Sequence, residues 1–589
     1  MKLALALLMI LLLVAPLPAQ QGSVEDFFLD FTAEWVRGDP NLAISSRYFS
    51  GKEQDHLDRQ LTPLTDAYQR ERIALAKRGL ADLGKLDREG VNSAQHLSID
   101  VLRWLLEDIV AGEPYGDYSF PLEQFRGANS SLVSVLTRLH PLRTEKDAET
   151  YLARLAQVGA RMEEAIAEAR RIEGKGMIPP RFILDATLQQ MRRFADPSPG
   201  QNPFVTTLVE KLEAIPSLGA DERAALARQA EAIVADQIYP AWKEAIALLE
   251  SQLPNSTNDA GLWRLQGGKE AYEYFLRHYT TTDLTADEIH EIGLRQVARI
   301  EGEMDTILRR LGRAEGSVQE RIEKLELELR YPEPTSEASR TKIIRDLDEI
   351  IRDAERRAAT LFDMRPKSPV TVEPAPRFLE ANAAANYTAP APDGSRPGIY
   401  QHPRRPDRMT TFGLRSVAYH EAVPGHHFQV ALQVENKELP RFLQIRAFGG
   451  ISANSEGWGL YAERLAAESG WYDGDSYGLL GQLDAELFRA RRLVVDTGLH
   501  AKRWTRQQAI DYGIPASEVE RYVVLPGQAC SYMIGQLKII GLREKARKEL
   551  GEKFSIREFH NVVLKTGIVP LSLLEREVGD YIQSEAAKR

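Results

Sequence analysis

Leu152–Glu173 reads LARLAQVGARMEEAIAEARRIE. It is rich in Ala, Glu, Arg and Leu, side chains that lose little freedom in a helix, so it predicts an α-helix. Asp221–Gln252 has the same character, and Pro240 within it marks a kink or boundary because its ring disturbs the preceding turn. Thr285-Ala-Asp-Glu288 precedes the apolar series Ile289, Ile292, Val297. That is a helix start, in which the threonine hydroxyl accepts the N–H three residues on and the glutamate reaches back. Ile343–Leu361 is a further charged amphipathic helix, and these charge-rich faces read as solvated surface. The chain is therefore expected to be mostly α.

Two stretches break this texture. Pro366–Tyr400 is rich in Pro and Ala, and Val370-Thr-Val-Glu373 and Pro397-Gly-Ile-Tyr400 within it predict short strands separated by an Asp393-Gly394 turn signal. Ser198–Pro203 is a second Pro/Gly break. We divide the chain into an N-terminal helical half, 20–275, and a C-terminal half, 276–589.

The 589 residues are 43% hydrophobic and 27% charged, which excludes disorder, collagen and coiled-coil rods as the main architecture. Asp and Glu number 85 against 75 Lys and Arg, a net charge of -10, and an acidic chain is poorly suited to binding nucleic acid without sequence preference. The single cysteine, Cys530, excludes an intrachain disulfide or a cysteine zinc site and reads as a small buried hydrophobe. Met1–Gly22 reads MKLALALLMILLLVAPLPAQQG: a basic Lys2, an unbroken apolar run from Leu3 to Ala15, then Pro16 and a small residue at Ala19. This is the pattern of a secretory signal peptide, 1–19, too short to span a bilayer. No cysteine follows it to carry a lipid. The mature protein is expected in the periplasm or secreted, with no stable membrane insertion.

Three of the 11 histidines fall within Tyr419-His-Glu-Ala-Val-Pro-Gly-His-His-Phe-Gln429. A helical zinc motif places two histidines four apart, with a glutamate general base after the first. Here His420 and His426 are six apart, and an unbroken helix would send them to different faces. Pro424-Gly425 allows a bulge that restores the pair, with His427 as the alternate second ligand. A catalytic zinc site needs a third protein ligand and an open position. Asn454-Ser-Glu-Gly-Trp-Gly-Leu-Tyr-Ala-Glu463 supplies Glu456 as that ligand, on a helix starting near Ser455 whose Gly457 and Gly459 admit a close neighbour. Glu463, seven residues on, shares its face and is placed to accept a hydrogen bond from a ligand histidine.

The motifs HEAVPGHHFQ (420–429), NSEGWGLYAE (454–463), VVDTGLH (494–500) and PGQACSYMIG (526–535) resemble those of the bacterial domain-of-unknown-function 885 family, itself similar in kind to zincin peptidases with a glutamate ligand. The resemblance covers most of the mature chain. It implies a mostly helical fold with a deep cleft and a metal-dependent hydrolase of peptide bonds. On the residue reading above, Zn2+ is expected on His420, His426 (with His427 as the alternate) and Glu456, with Glu421 as general base. By the same resemblance Tyr532 is the oxyanion donor, with Tyr522 as fallback. Gln528 is placed to hold substrate backbone or to cap a helix. Asp496 and His500, four apart on one helix face, form either a pair orienting an imidazole toward substrate or an ion-paired helix interior. Arg491 and Arg492 offer guanidinium forks for a substrate carboxylate.

The expected activity is hydrolysis of short peptides, carboxypeptidase- or dipeptidase-like. Two alternatives remain: a non-haem iron enzyme on the same ligands, which would have no need of Glu421, and an inactive peptide-binding protein. The leader makes its own prediction. The intact mass of the exported protein should correspond to removal of residues up to about Ala19, and a mass retaining them would indicate an anchor instead.

Overall fold

A computed structural model describes residues 23–588 except 332, 334, 335, 376–379, 381–383, 393, 395 and 406–408. The expected leader and Asp393 of the turn signal lie outside the described residues. The rest is mostly α, with one small sheet of three strands. Among the described residues no helix is long and apolar enough to cross a membrane.

The local signals take structural form, with instructive differences. Leu152–Glu173 divides between two helices, Glu145–Leu155 and Val158–Glu173. The turn between them is pinned by Gln157, whose amide nitrogen donates to the Arg59 and Ala153 carbonyls and whose amide oxygen accepts Leu61 N–H at 3.1 Å. Tertiary hydrogen bonds thus override helix propensity there. Asp221–Gln252 becomes Ala220–Ile233, a wide π turn over Val234–Ile238, and Tyr239–Gln252. Pro240 sits in the first turn of the last helix, where its missing N–H is not needed. The capping box forms at Ala286–Arg310: Thr285 Oγ1 accepts Glu288 N–H at 3.2 Å and Glu288 accepts Thr285 N–H at 2.8 Å.

The strands are β1 (Val370–Pro374), β2 (Asn386–Thr388) and β3 (Gly398–His402). β3 lies centrally, parallel to β1 and antiparallel to β2, and Tyr400 on it is fully buried.

The apolar packing groups the chain differently from the expected halves. The largest core joins Val24–Leu106 to residues between Leu262 and Ile582. A second core, apart from Leu61, is built entirely between Leu122 and Leu249. A smaller third cluster, including Phe120, Ile183, Val495 and Tyr522, ties that helical body to the rest.

The helix carrying Glu456 (Ser452–Glu468) crosses the helix carrying Tyr532 (Ser531–Leu550) at two glycines. A Cβ on Gly457 would lie 2.5 Å from Gly535 backbone, and one on Gly535 would lie 1.8 Å from the Ala453 carbonyl. Only hydrogen at both positions permits this crossing. We expect Gly457→Ala to cost about 1–3 kcal/mol by forced separation of the helices, read as a lowered Tm. Gly541→Ala, on the same Tyr532 helix with open space around it, should leave Tm unchanged or raised. Equal behaviour of the two variants would refute the close-packing argument.

Candidate metal centre

The sequence around His420 does not bulge; it breaks. One helix, Leu414–Glu421, ends at the motif glutamate, and Ala422 leaves helical geometry with φ -113 and ψ -95. The next helix, His426–Glu435, starts at the second histidine. The intervening turn is held by Trp458, whose indole N–H donates to the Pro424 and Gly425 carbonyls at 2.9 and 3.2 Å. Breaking the helix frees His426 from the six-residue spacing, and its ring meets the His420 ring at 4.7 Å, nearly perpendicular.

Glu456 approaches both rings. Its Oε2 lies 3.3 Å from His420 Nε2 and 3.4 Å from His426 Nε2. The ligand atoms of these three residues all lie within 4.8 Å of one another. Gly459, one turn along from Glu456, makes the room: a Cβ there would lie 2.7 Å from His420 Nε2. Two imidazole nitrogens and one carboxylate oxygen suit zinc, whose ligands at about 2.1 Å stand roughly 3.4 Å apart when tetrahedral. The two separations from Glu456, 3.3 and 3.4 Å, fit that group.

Behind His420 lies a buried hydrogen-bond chain. Its Nδ1–H donates to Glu463 Oε1 at 2.7 Å, leaving Nε2 directed at Glu456. Ser416 donates to the other Glu463 oxygen, and the Arg489 guanidinium lies 3.6 Å from Oε1. Glu463 and Ser416 are both fully buried. Burial alone would raise the Glu463 carboxyl, but Arg489 and the bonds from His420 and Ser416 outweigh it and hold its pKa low. For His420, burial disfavours the charged ring, yet hydrogen bonds to Glu456 and Glu463 raise its pKa to about 10. Glu456 is likewise opposed by burial and still driven well below the usual carboxylate range by both histidines. The pocket thus favours positive charge between Glu456 and Glu463, which a divalent cation satisfies better than protons.

Glu421 differs from the other two carboxylates. It hydrogen-bonds to nothing among the described residues and keeps partial contact with solvent, while burial raises its pKa against the lowering effect of His426 and His420. Tyr532 opens the helix Ser531–Leu550, and its ring lies nearly parallel to that of His420 at 6.3 Å. The Arg492 guanidinium covers the Tyr532 ring at 4.5 Å. The Tyr532 hydroxyl has no partner among the described residues.

Other expected site residues are placed elsewhere or already engaged. His427 turns away: its Nδ1 pairs with the Tyr387 hydroxyl at 3.0 Å, and burial lowers its pKa to about 4. Tyr522 is fully buried, donating to Glu518 at 3.1 Å and accepting from Arg492 Nε at 3.0 Å. Gln528 accepts from Arg521 at 2.8 Å and reaches Ser452 at 3.4 Å. Arg491 pairs with Glu301 at 3.0 Å. His500 is committed to the backbone, with Nδ1 accepting Leu262 N–H at 3.1 Å and Nε2 donating to the Tyr522 carbonyl at 3.0 Å. It is therefore not paired with Asp496. Asp496 accepts from the Tyr272 hydroxyl at 2.7 Å and from Gly527 N–H at 3.0 Å. Burial raises its carboxyl to about 7 against those bonds. It anchors the turn leading to Tyr532, and Cys530 in that turn is fully buried.

Ser416 and Arg489 were not anticipated. Ser416 precedes His420 by four residues and so shares its helix face, a signal present in the sequence. Nothing local marks Arg489; only the tertiary fold brings it to Glu463.

The family described as "Bacterial protein of unknown function (DUF885)" matches residues 45–578. A crystal structure described as "the putative lipoprotein from Colwellia psychrerythraea" is 32% identical, covers 95% of this chain and 99% of its own, and superposes with a TM-score of 0.90. One described as "a putative lipoprotein of unknown function from Shewanella oneidensis" is 19% identical, with 94% and 99% coverage and a TM-score of 0.67, a likeness of fold. Comparison with curated proteins gives no match. With a family match over most of its length and a full-length relative of the same fold, this chain belongs to the DUF885 family of bacterial proteins.

Proposed function

We propose that this protein is an exported, zinc-dependent peptidase of zincin-like chemistry acting on short peptides. The observation that carries the reading is the convergence of His420, His426 and Glu456 beside Glu421, a carboxylate with no hydrogen-bond partner among the described residues. Export rests on the leader pattern of the sequence, and the description of its relatives as lipoproteins is compatible with it.

His420, His426 and Glu456 would hold the zinc, which would supply Lewis acidity for activating water and polarising a carbonyl. Glu421 takes the proton of that water; its raised pKa suits it to give the proton later to the leaving amine. Tyr532, whose ring stacks on that of His420 and whose hydroxyl has no partner among the described residues, donates to the oxygen on which negative charge develops. The Arg492 guanidinium, 4.5 Å from the ring centre, helps hold the tyrosine ring in place. Glu463, Ser416 and Arg489 fix the orientation of His420 and leave its Nε2 free for the metal. The adjacent general base favours hydrolysis over iron-dependent oxygen chemistry on the same ligands.

The purified mature protein should carry about one zinc per chain by elemental mass spectrometry, and His420→Ala should lose it. His426→Ala should lose zinc while His427→Ala retains it. Iron in place of zinc, or no metal after reconstitution, would overturn this assignment.

Glu421→Gln keeps shape and removes basicity. It should retain zinc and lose roughly a hundredfold or more of its peptide hydrolysis. Tyr532→Phe should also retain zinc and lose roughly a hundredfold in kcat with little change in KM. Incubation with a mixed peptide library, with cleavage read by mass spectrometry, measures both variants. Wild-type turnover by Glu421→Gln would remove Glu421 from the mechanism, and absence of cleavage by the zinc-loaded wild type would overturn the peptidase reading.

A further inference from the structure

The short helix Ala516–Val524 carries a carboxylate that two guanidinium groups share. Arg492 reaches Glu518 Oε2 at 2.8 Å, and Arg521 reaches Oε1 at 3.4 Å. Neither side chain stands on the open surface: Arg492 is 6% exposed and Arg521 12%. Among the described residues no second carboxylate pairs with either. The neighbouring acids are committed elsewhere, Glu520 to Arg506 at 2.6 Å and Asp496 to the Tyr272 hydroxyl and Gly527 N–H. Two positive charges are thus held against one negative. Donors are in surplus too, since Arg492 Nη1 and Arg521 Nε are buried without a hydrogen bond among the described residues. Such a group is costly in the free protein and attractive to an anion.

Measured contacts join this group to the metal centre along two routes. The Arg492 guanidinium lies 4.5 Å from the Tyr532 ring, which lies 6.3 Å from the His420 ring. Arg521 Nη2 donates to Gln528 Oε1 at 2.8 Å, and Gln528 Nε2 lies 3.4 Å from Ser452 Oγ. Ser452 stands one helical turn before Glu456. Arg521, Glu518, Tyr532, Ser452 and Glu456 each keep partial contact with solvent.

The other helical body adds an apolar surface at Arg521. Phe125 is 43% exposed, more than any other phenylalanine among the described residues, and its ring lies 5.6 Å from the Arg521 guanidinium. Its turn holds it there. The buried Glu123 carboxylate accepts the backbone N–H groups of Phe125 and Arg126, and a Cβ on Gly127 would lie 2.3 Å from Glu123 N. The Gln124 side-chain amide reaches the Glu520 carbonyl at 3.4 Å and ties the turn to the Arg521 helix. An aromatic ring kept in water on a pinned turn gains by being covered.

Each Nη nitrogen of arginine carries two N–H bonds. Arg521 uses one on each, for Glu518 and Gln528, and keeps one on each. Those two match a carboxylate in two-point contact. We propose that Arg521 and Phe125 form the subsite for the C-terminal residue of a short peptide, Arg521 taking the terminal carboxylate and Phe125 packing on an apolar terminal side chain. Gln528 and Glu518 orient the fork, and Arg492 supplies the surplus charge. What is then cut rests on the peptidase reading; the binding itself does not.

The test uses one peptide without acidic side chains in three forms: a free acid ending in phenylalanine, its C-terminal amide, and a free acid ending in glycine. Each is titrated by calorimetry into Glu421→Gln protein, chosen to slow turnover, and incubated with protein in which Glu421 is intact. Arg521→Gln removes the charge, Arg521→Lys keeps it without the fork, and Phe125→Ala removes the ring. Thermal melting checks the fold of each. Amidation should weaken binding tenfold or more; Arg521→Gln should erase that difference and Arg521→Lys retain part of it. Exchange of the terminal phenylalanine for glycine should weaken binding fivefold or more, and Phe125→Ala should erase that difference alone. In turnover, Arg521→Gln and Phe125→Ala should raise KM with kcat little changed. Equal affinity for acid and amide, an acid preference that survives Arg521→Gln, or no binding of any form would overturn the subsite. If Arg521→Gln fails to fold, an undiminished acid preference in Arg521→Lys would overturn it instead. An acid preference dependent on Arg521 but indifferent to terminal glycine would overturn the part given to Phe125. Carboxylate-dependent binding without hydrolysis would sustain the subsite and overturn the peptidase reading, and hydrolysis indifferent to the C-terminus would do the reverse.

Discussion

The hydrogen bond from His420 to Glu463 is the constraint on which the rest of the centre depends. It places a carboxylate and an imidazole together where neither has water, and that arrangement is stable only if each polar atom is matched. Ser416 on the His420 helix and Arg489 on a third helix complete the matching, so four side chains on three helices become one rigid unit. The bond also fixes the tautomer of His420, and with it the atom directed at Glu456. The electrostatics of Glu456, His426 and Glu421 follow from that one orientation.

The rigidity is inherited from packing of a particular kind. The Glu456 helix must lie close to His420 on one side and to the Tyr532 helix on another, and its glycines make both approaches possible. Trp458, between those glycines, reaches in the opposite direction to satisfy the carbonyls of the turn that separates the two histidines. A single helix turn therefore carries Glu456, the clearance for His420 and the prop for the loop that presents His426. This explains why the motif glycines and tryptophan accompany the glutamate so tightly in the sequence.

Much of the fold was legible because local chemistry decided it. The Thr285–Glu288 box starts its helix where the sequence places it, and the segments Val370–Glu373 and Pro397–Tyr400 do pair as strands. The convergence of His420, His426 and Glu456 was legible for a similar reason, since histidines beside a glutamate leave few uses for a buried cluster. What the sequence did not disclose was the direction in which equivalent side chains turn. His426 and His427 are neighbours of one type, and a broken helix rather than a bulge sends one to the cluster and the other to Tyr387. Arg491 and Arg492 divide likewise between Glu301 and Tyr532. His500, Gln528 and Asp496 looked chemical because they are polar and close together. The fold spends them on satisfying buried backbone and side-chain groups, and a single sequence does not distinguish those uses.

The hydrogen bond from Trp35 to Ala447 spans 412 residues of chain. It ties the first helix of the described chain to the segment between two ligand-bearing helices, and the main core as a whole joins residues near both ends. Contacts so distant in sequence form late, after the entropy of closing a very long loop has been overcome. The segments that carry His426 and Glu456 are thus braced only once distant parts of the polypeptide have packed together. The emerging chain therefore passes much of its synthesis and folding without an assembled cluster of His420, His426 and Glu456.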